Sequence, residues 1–239
     1  MSLTTICCDG DHVPGDIAVH AVDCWARYAA TGDWILRGLN LHLEAGHAAL
    51  IRGGNGQGKS TLLKVLGGLL PVDRGSCEVA GGAPHRRCSV VAYLPQQGGT
   101  DWRAPATVSD LVSAGRLPHR GWFRRLGAAD RERCANAIER MGLADLAQRK
   151  LHELSGGQRR RALLARTLAQ EARVVLLDEP LNGLDRSARA ELAELLGGLI
   201  ADHALTIVVT SHETQDFPLS FNQLHHLQDG QLIPDEAMV

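Results

Sequence analysis

The sequence predicts an α/β fold, with a parallel-sheet core, an antiparallel β subdomain ahead of it and a helical subdomain inserted into it. Three observations predict it. The early part of the chain alternates apolar and polar residues at period two, as half-buried strands do. Two apolar runs later on, Val174-Val175-Leu176-Leu177 and the stretch from Leu205 to Thr210, read as strands buried on both faces, the mark of a parallel sheet. Between them and the early strands, from Val108 to Gln170, the period becomes helical, with Ile138, Met141 and Leu143 among the apolar positions.

The elements follow in chain order. Residues 1–16 are expected to form a loose N-terminus, and residues 17–239 one domain. From Ile17 to Tyr28 the chain reads as strand, with Ile17, Val19 and Ala21 alternating. From Ile35 to Leu43 it alternates again: Leu39, Leu41 and Leu43 share one face, Asn40 and His42 the other. Glu44-Ala45-Gly46 makes a turn. A short apolar strand from His47 to Arg52 enters a glycine-rich loop, and a helix runs from Ser60 to Gly67. Strands follow from Gly75 to Ala80 and from Ser89 to Leu94. The helical subdomain is expected over about residues 97–160. A strand from Arg173, a helix from Arg186 to Ile200 and the strand ending at Thr210 make a βαβ unit. Asp229-Gly230 is a hairpin turn within the stretch from Leu224 to Ile233.

At 239 residues the chain is long enough for one sizeable core. Its net charge of -2 argues against a general nucleic-acid binder, which needs a basic surface. No apolar run reaches the ~18 residues that a bilayer span requires. The stretch from Met1 to Gly15 has no basic segment followed by an apolar one, so it does not read as a secretory leader. The chain is therefore expected in the cytosol, reaching a membrane only through a membrane partner. Cys7, Cys8, Cys24, Cys77, Cys88 and Cys134 match no zinc spacing and read as reduced thiols. Cys7-Cys8 with His12 is an adjacent pair without the second pair that a soft-metal site would use. His225 and His226, adjacent on a strand, should face opposite ways, one packed and one exposed.

Gly53-Gly54-Asn55-Gly56-Gln57-Gly58-Lys59-Ser60 fits G-x-x-x-x-G-K-[ST] in full, after an apolar strand and at the start of a helix. Glycines there let backbone N–H groups turn inward around phosphate oxygens, and the helix start adds its positive dipole end. Lys59 supplies a charge for the β- and γ-phosphates, the Ser60 hydroxyl a magnesium ligand, and Thr61 continues the nucleotide-binding segment. Asp178-Glu179 ends an apolar strand at its carboxyl edge, where ligands collect in open α/β sheets. Asp178 is placed to reach a magnesium shell and Glu179 to polarise an attacking water.

Leu154-Ser155-Gly156-Gly157-Gln158, together with that loop, resembles the signature of the ATP-binding cassette family, the ABC nucleotide-binding domain of the P-loop NTPases. The resemblance runs from about Ile17 to Leu232. It implies that Ser155, Gly156, Gly157 and Gln158 form a second anion cradle, which caps the γ-phosphate of ATP held by another copy in a head-to-tail dimer. It implies a glutamine loop in Tyr93-Leu94-Pro95-Gln96, with Gln96 at magnesium or the lytic water and linking the core to the helical insertion. It implies a D-loop in Asn182-Gly183-Leu184-Asp185, with Asp185 at the dimer interface, and a switch histidine in His212. Glu179, His212, Gln96 and Lys59 are then the catalytic set, and ATP and magnesium the cofactors. An aromatic residue should stack on adenine: Tyr28, with Trp25 and Trp34 as competitors. Gly54 and Gln57 stand where the family often has proline and serine or alanine, and neither change removes a reactive group.

Thr100-Asp101-Trp102, the run from Ala104 to Val108, Gly121-Trp122-Phe123-Arg124-Arg125 and Ala129-Asp130-Arg131 look like the insertion of bacterial manganese, zinc and iron or iron-chelate uptake ATPases. That resemblance implies an integral membrane permease dimer as partner, an extracytoplasmic binding protein behind it, and a position on the cytoplasmic side of the membrane. Trp122 and Phe123 are either anchors for the permease or an ordinary packing patch.

Overall fold

Leu39, Leu41 and Leu43 are buried and their neighbours Asn40 and His42 exposed, so the period-two reading holds from Leu39 to Leu43, whereas Leu36 is buried out of phase, before a register shift in the pairing of this strand. The computed structural model describes residues 17–96, 100–120, 125–184, 186–203, 205–212 and 219–234. The expected loose N-terminus with Cys7, Cys8 and His12, the Trp122-Phe123 pair and Asp185 lie outside the described residues. Two compact units divide the chain: residues up to Gln96 together with those from Arg173 onward, and Gln97–Ala172.

The first unit holds two sheets. β1 (Ile17–Ala26) pairs antiparallel with β2 (Leu36–Glu44) on one side and β4 (Arg74–Val79) on the other. A register shift between Ile17 and Val19 breaks the alternation there: Val19 and Ala21 are buried, whereas Ile17 is exposed. The second sheet has the order β5-β6-β7-β3-β8-β9, formed by β5 (Val91–Leu94), β6 (Val174–Asp178), β7 (Thr206–Ser211), β3 (Ala48–Arg52), β8 (Gln223–Gln228) and β9 (Gln231–Pro234). Its strands run parallel except for the β8–β9 hairpin. Asp229 and Gly230 both take positive φ at that turn, 50° and 81°, which suits a two-residue hairpin loop. His225 is half-buried and His226 exposed, as alternation requires. Burial pushes the His225 imidazole below its ordinary pKa.

Helix α1 (Lys59–Leu66) buries Leu62, Leu63 and Leu66 in one apolar cluster with Leu39, Leu43, Leu176 and Val208. Each such side chain contributes roughly 1.5–3 kcal/mol by leaving water. The cluster therefore anchors α1, and the loop before it, against both sheets. Helix α6 (Arg186–His203) joins β6 to β7 and completes the βαβ unit. Among the described residues no helix is long and apolar enough to cross a membrane.

The second unit is helical: α2 (Val108–Ala114), α3 (Leu117–Arg120), α4 (Ala128–Arg140) and α5 (Gly156–Ala169). The expected end near residue 160 falls inside α5, which packs as one piece on α2 and α4. Gly115 permits this, since a Cβ there would lie 2.4 Å from the Arg166 carbonyl oxygen. Thr107 caps α2 reciprocally with Asp110. Buried Arg116 clamps the start of α4 to the end of α5. Its guanidinium donates to Asp130 at 2.9 Å, to Glu171 at 2.7 Å and to the Ala169 carbonyl at 2.8 Å.

Arg116→Met should cost the chain about 2 kcal/mol, less than the ~3–5 of a fully buried pair, because Glu171 is half exposed. It should also flatten the acid dependence of stability. Burial works against the charge on Asp130 and Glu171, but hydrogen bonds and attraction from Arg116 and Arg133 outweigh it and hold both carboxyls below their ordinary pKa. Such groups stabilise the fold above the unfolded pKa of about 4, and the contribution is lost as pH falls through the lower folded values. Urea midpoints of wild type and variant should therefore converge below about pH 4. A constant gap between them down to low pH would count against the clamp.

Candidate active site

The parallel sheet gathers the site at one edge. β3 runs into the loop from Gly53 to Gly58, β6 into Asp178-Glu179, and β7, which lies between these two strands, into His212. Gly53 is required by close approach, because a Cβ there would come 2.7 Å from the Leu227 carbonyl oxygen on β8. Gly58, with φ at +103°, sits against Ile35 and turns the chain into α1. The Gln57 side chain ties the loop to the hairpin, its Oε1 accepting from the Asp229 amide at 3.0 Å. Asn55, Gly54 and Gly56 form the exposed crest of the loop.

Lys59 is buried, and its ammonium donates to the Gly53 and Gly54 carbonyls at 2.8 and 3.1 Å. The same nitrogen lies 3.3 Å from Glu179 Oε1. Glu179 collects three further groups on Oε2: the Gln96 amide at 2.7 Å, His212 Nδ1 at 3.3 Å and the Asn182 amide at 3.4 Å. Glu179 itself takes a positive φ of 47°, uncommon outside glycine, and strain of that kind clusters at functional sites. All four residues expected to act in the reaction, Lys59, Gln96, Glu179 and His212, thus meet at one carboxylate.

Asp178 is buried, and each of its oxygens has a donor from a neighbouring strand. Thr210 on β7 donates to Oδ1 at 2.8 Å, and Tyr93 on β5 donates to Oδ2 at 3.2 Å. Thr210 Oγ1 also accepts from the Glu179 amide at 3.1 Å. Burial first, then the Asp178 charge, pushes the Tyr93 phenol well above its ordinary pKa, so it stays a donor. The donor roles of Tyr93, Thr210 and Asn182 did not emerge from the sequence. The one available signal was position: Tyr93 and Asn182 lie inside the glutamine-loop and D-loop segments, and Thr210 two residues before His212.

Ser60 occupies the second position of α1, and Thr61, the third, is buried with its hydroxyl 3.4 Å from that of Tyr28. Tyr28 is 58% exposed, with Lys64 Nζ 5.3 Å from its ring centre. Burial raises the Tyr28 phenol, but hydrogen bonds to Thr61 and Lys64 outweigh it and the net shift is downward. Trp25 and Trp34 pack edge to face, their ring centres 5.5 Å apart, and the Arg27 and Arg74 guanidinium carbons lie 4.2 and 5.1 Å from the Trp34 ring centre.

In the second unit Ser155 caps α5: its hydroxyl accepts from the Gln158 amide at 3.3 Å and the Gln158 side chain accepts from the Ser155 amide at 2.9 Å. A Cβ on Gly156 or Gly157 would meet nothing within 4 Å. Packing within this chain therefore does not account for glycine at either position.

A lysine-bearing anion loop facing a carboxylate pair suits phosphoryl transfer from a nucleoside triphosphate, and the fold is that of a phosphate-loop ATPase. Similarity to known proteins narrows the class. Residues 36–182 match the ABC transporter family, and the chain belongs to that family. Over 190 residues it is 36% identical to the zinc transport system ATP-binding protein TroB of Treponema pallidum, covering 80% of this chain and 71% of the relative. It is 35% identical over 181 residues to the manganese transport system ATP-binding protein MntB of Bacillus subtilis, covering 76% and 72%. To the petrobactin import ATP-binding protein FpuC of Bacillus anthracis it is 34% identical over 220 residues, covering 88% and 80%. Among solved structures, an ABC transporter assigned to the metal-chelate type, in an inward-facing conformation, superposes with a TM-score of 0.80 at 29% identity, covering 92% of this chain and 83% of that one. The chain is a nucleotide-binding ATPase of the ABC transporter family.

Proposed function

We infer that this ATPase drives import of a transition metal ion or a metal chelate through a partner permease. The convergence of Lys59, Gln96 and His212 on Glu179 is the observation that carries the ATPase chemistry. The cargo class is supported by similarity to zinc, manganese and petrobactin transport subunits.

In this reading the amides from Gly53 to Gly58 cradle the phosphates and Lys59 moves its charge from Glu179 onto the β- and γ-oxygens. The donor set fits magnesium, a hard cation that takes few protein oxygens and keeps water and phosphate ligands. Ser60 and Asp178 would hold it, with Gln96 beside them, and it would neutralise charge on the phosphate oxygens. Glu179, released from Lys59, accepts a proton from the attacking water, while Gln96 and His212 hold that water and the γ-phosphate. Tyr28 stacks on adenine, a role supported by its exposure and by the mutual packing of Trp25 and Trp34.

The neighbour's ATP is capped by Ser155, Gly156 and Gly157 of a second copy, with Asp185 at the interface. The open space around both glycines supports this, since a backbone left bare can approach a phosphate from outside the chain. The dimer closes on ATP and reopens after hydrolysis, and a permease dimer on the cytoplasmic face of the membrane converts that cycle into transport. An extracytoplasmic binding protein delivers the cargo. The test is ATP-dependent uptake into proteoliposomes that contain the chain and its permease, with manganese, zinc and ferric siderophore offered in turn. Accumulation of one of them is expected. ATP hydrolysis without uptake of any of the three would sink the cargo reading.

A further inference from the structure

We propose that Tyr93 is a positioning residue for the Asp178 carboxylate, tying the outgoing end of β5 to the divalent-cation shell of the ATP site. This rests on the reading of Asp178 as a cation ligand.

The geometry begins with strand register. Tyr93 lies opposite Leu176 on β6, two residues short of Asp178, and its phenol spans that gap to Oδ2 at 3.2 Å. From the other side, Thr210 lies opposite Asp178 and reaches Oδ1 at 2.8 Å. One donor per oxygen, from strands on both flanks, fixes the plane of the carboxylate. An ionised carboxylate offers about four lone-pair sites, so two donors leave others for a cation. Either donor alone would let the group turn about its bond to the rest of the side chain.

β5 is an edge strand of its sheet and the last element before the chain passes into the second unit. Its end reaches both members of the acidic pair. Tyr93 holds Asp178, and Gln96, three residues on, holds Glu179 at 2.7 Å. A shift of this strand end would therefore be felt at the cation as well as at the attacking water. Phenylalanine would keep the ring, which packs against the core cluster, and remove the donor alone.

The experiment uses the full chain and a fluorescent ATP analogue, titrated once in EDTA and once in excess Mg2+. Wild type is expected to gain affinity from Mg2+. Y93F is expected to match wild type in EDTA and to lose about tenfold of the Mg2+-dependent gain, the scale of one hydrogen bond to a charged group. A Y93F chain with the full gain overturns the proposal. So does one that binds poorly in EDTA, because a positioning role leaves the phosphate loop intact. D178N, run alongside, separates the two ways of failing. If D178N keeps the wild-type gain, Asp178 is no cation ligand and both readings fall. If D178N loses the gain and Y93F does not, the role of Tyr93 falls by itself.

Discussion

Glu179→Gln lowers ATP turnover by roughly 10²–10⁴-fold, the range for removing a general base, and leaves ATP bound. The amide keeps the shape of the carboxylate, and its oxygen can still accept from Gln96 and Asn182. It carries no charge for Lys59 or His212 and cannot take a proton from water. Binding should persist because the phosphate loop does not depend on Glu179, and the variant should accumulate as an ATP-bound dimer. Steady-state phosphate release and size-exclusion chromatography with ATP measure the two effects. Turnover within tenfold of wild type would remove Glu179 from the role of base.

Lys59→Ala has the second largest effect, and it falls on binding. At ATP about 100 times its dissociation constant, wild type gains about 2.7 kcal/mol of stability from the nucleotide. The variant gains close to none, since the buried Lys59 ammonium beside the loop is gone. Thermal melts with and without ATP read this directly. A preserved ATP-induced shift would contradict the placement of the phosphates at this loop. Without nucleotide the variant should also melt lower, because Glu179, itself nearly buried, loses its cationic partner.

The phosphate loop was legible because its chemistry occupies eight consecutive residues and needs no partner for recognition. The Asp178-Glu179 pair was legible because an apolar strand must end where the carboxylates begin. Gln96 and His212 of the hub at Glu179 were named only through the family resemblance, since Gln96 lies 83 residues away in sequence and the meeting depends on which strands are neighbours. Thr210 and Tyr93 escaped for the same reason: register across β5, β6 and β7 decides which side chain reaches Asp178, and register is not a local property. Ile17 was placed on the buried face of β1 because alternation assumes an unbroken pleat, which the shift before Val19 interrupts. Tyr28 stood ahead of Trp25 and Trp34 in the sequence only by its spacing before Leu36, and the geometry adds what spacing cannot, an exposed residue against two rings that pack on each other.

The strand order has a consequence for the chain as it is made. β1, β2 and β4 all lie within Ile17–Val79 and can pair early. β3 waits longer, because both its neighbours, β7 and β8, come after residue 205. β5 waits through the whole of Gln97–Ala172 for β6. A ribosome adds roughly 5–20 residues per second, so the phosphate loop emerges many seconds before the strands that flank its own. The Lys59–Glu179 contact closes across that delay. A nascent chain therefore has its nucleotide loop outside the ribosome well before the strands that hold that loop in place, since Leu176, Val208 and Leu227 of its packing cluster are all still to be made.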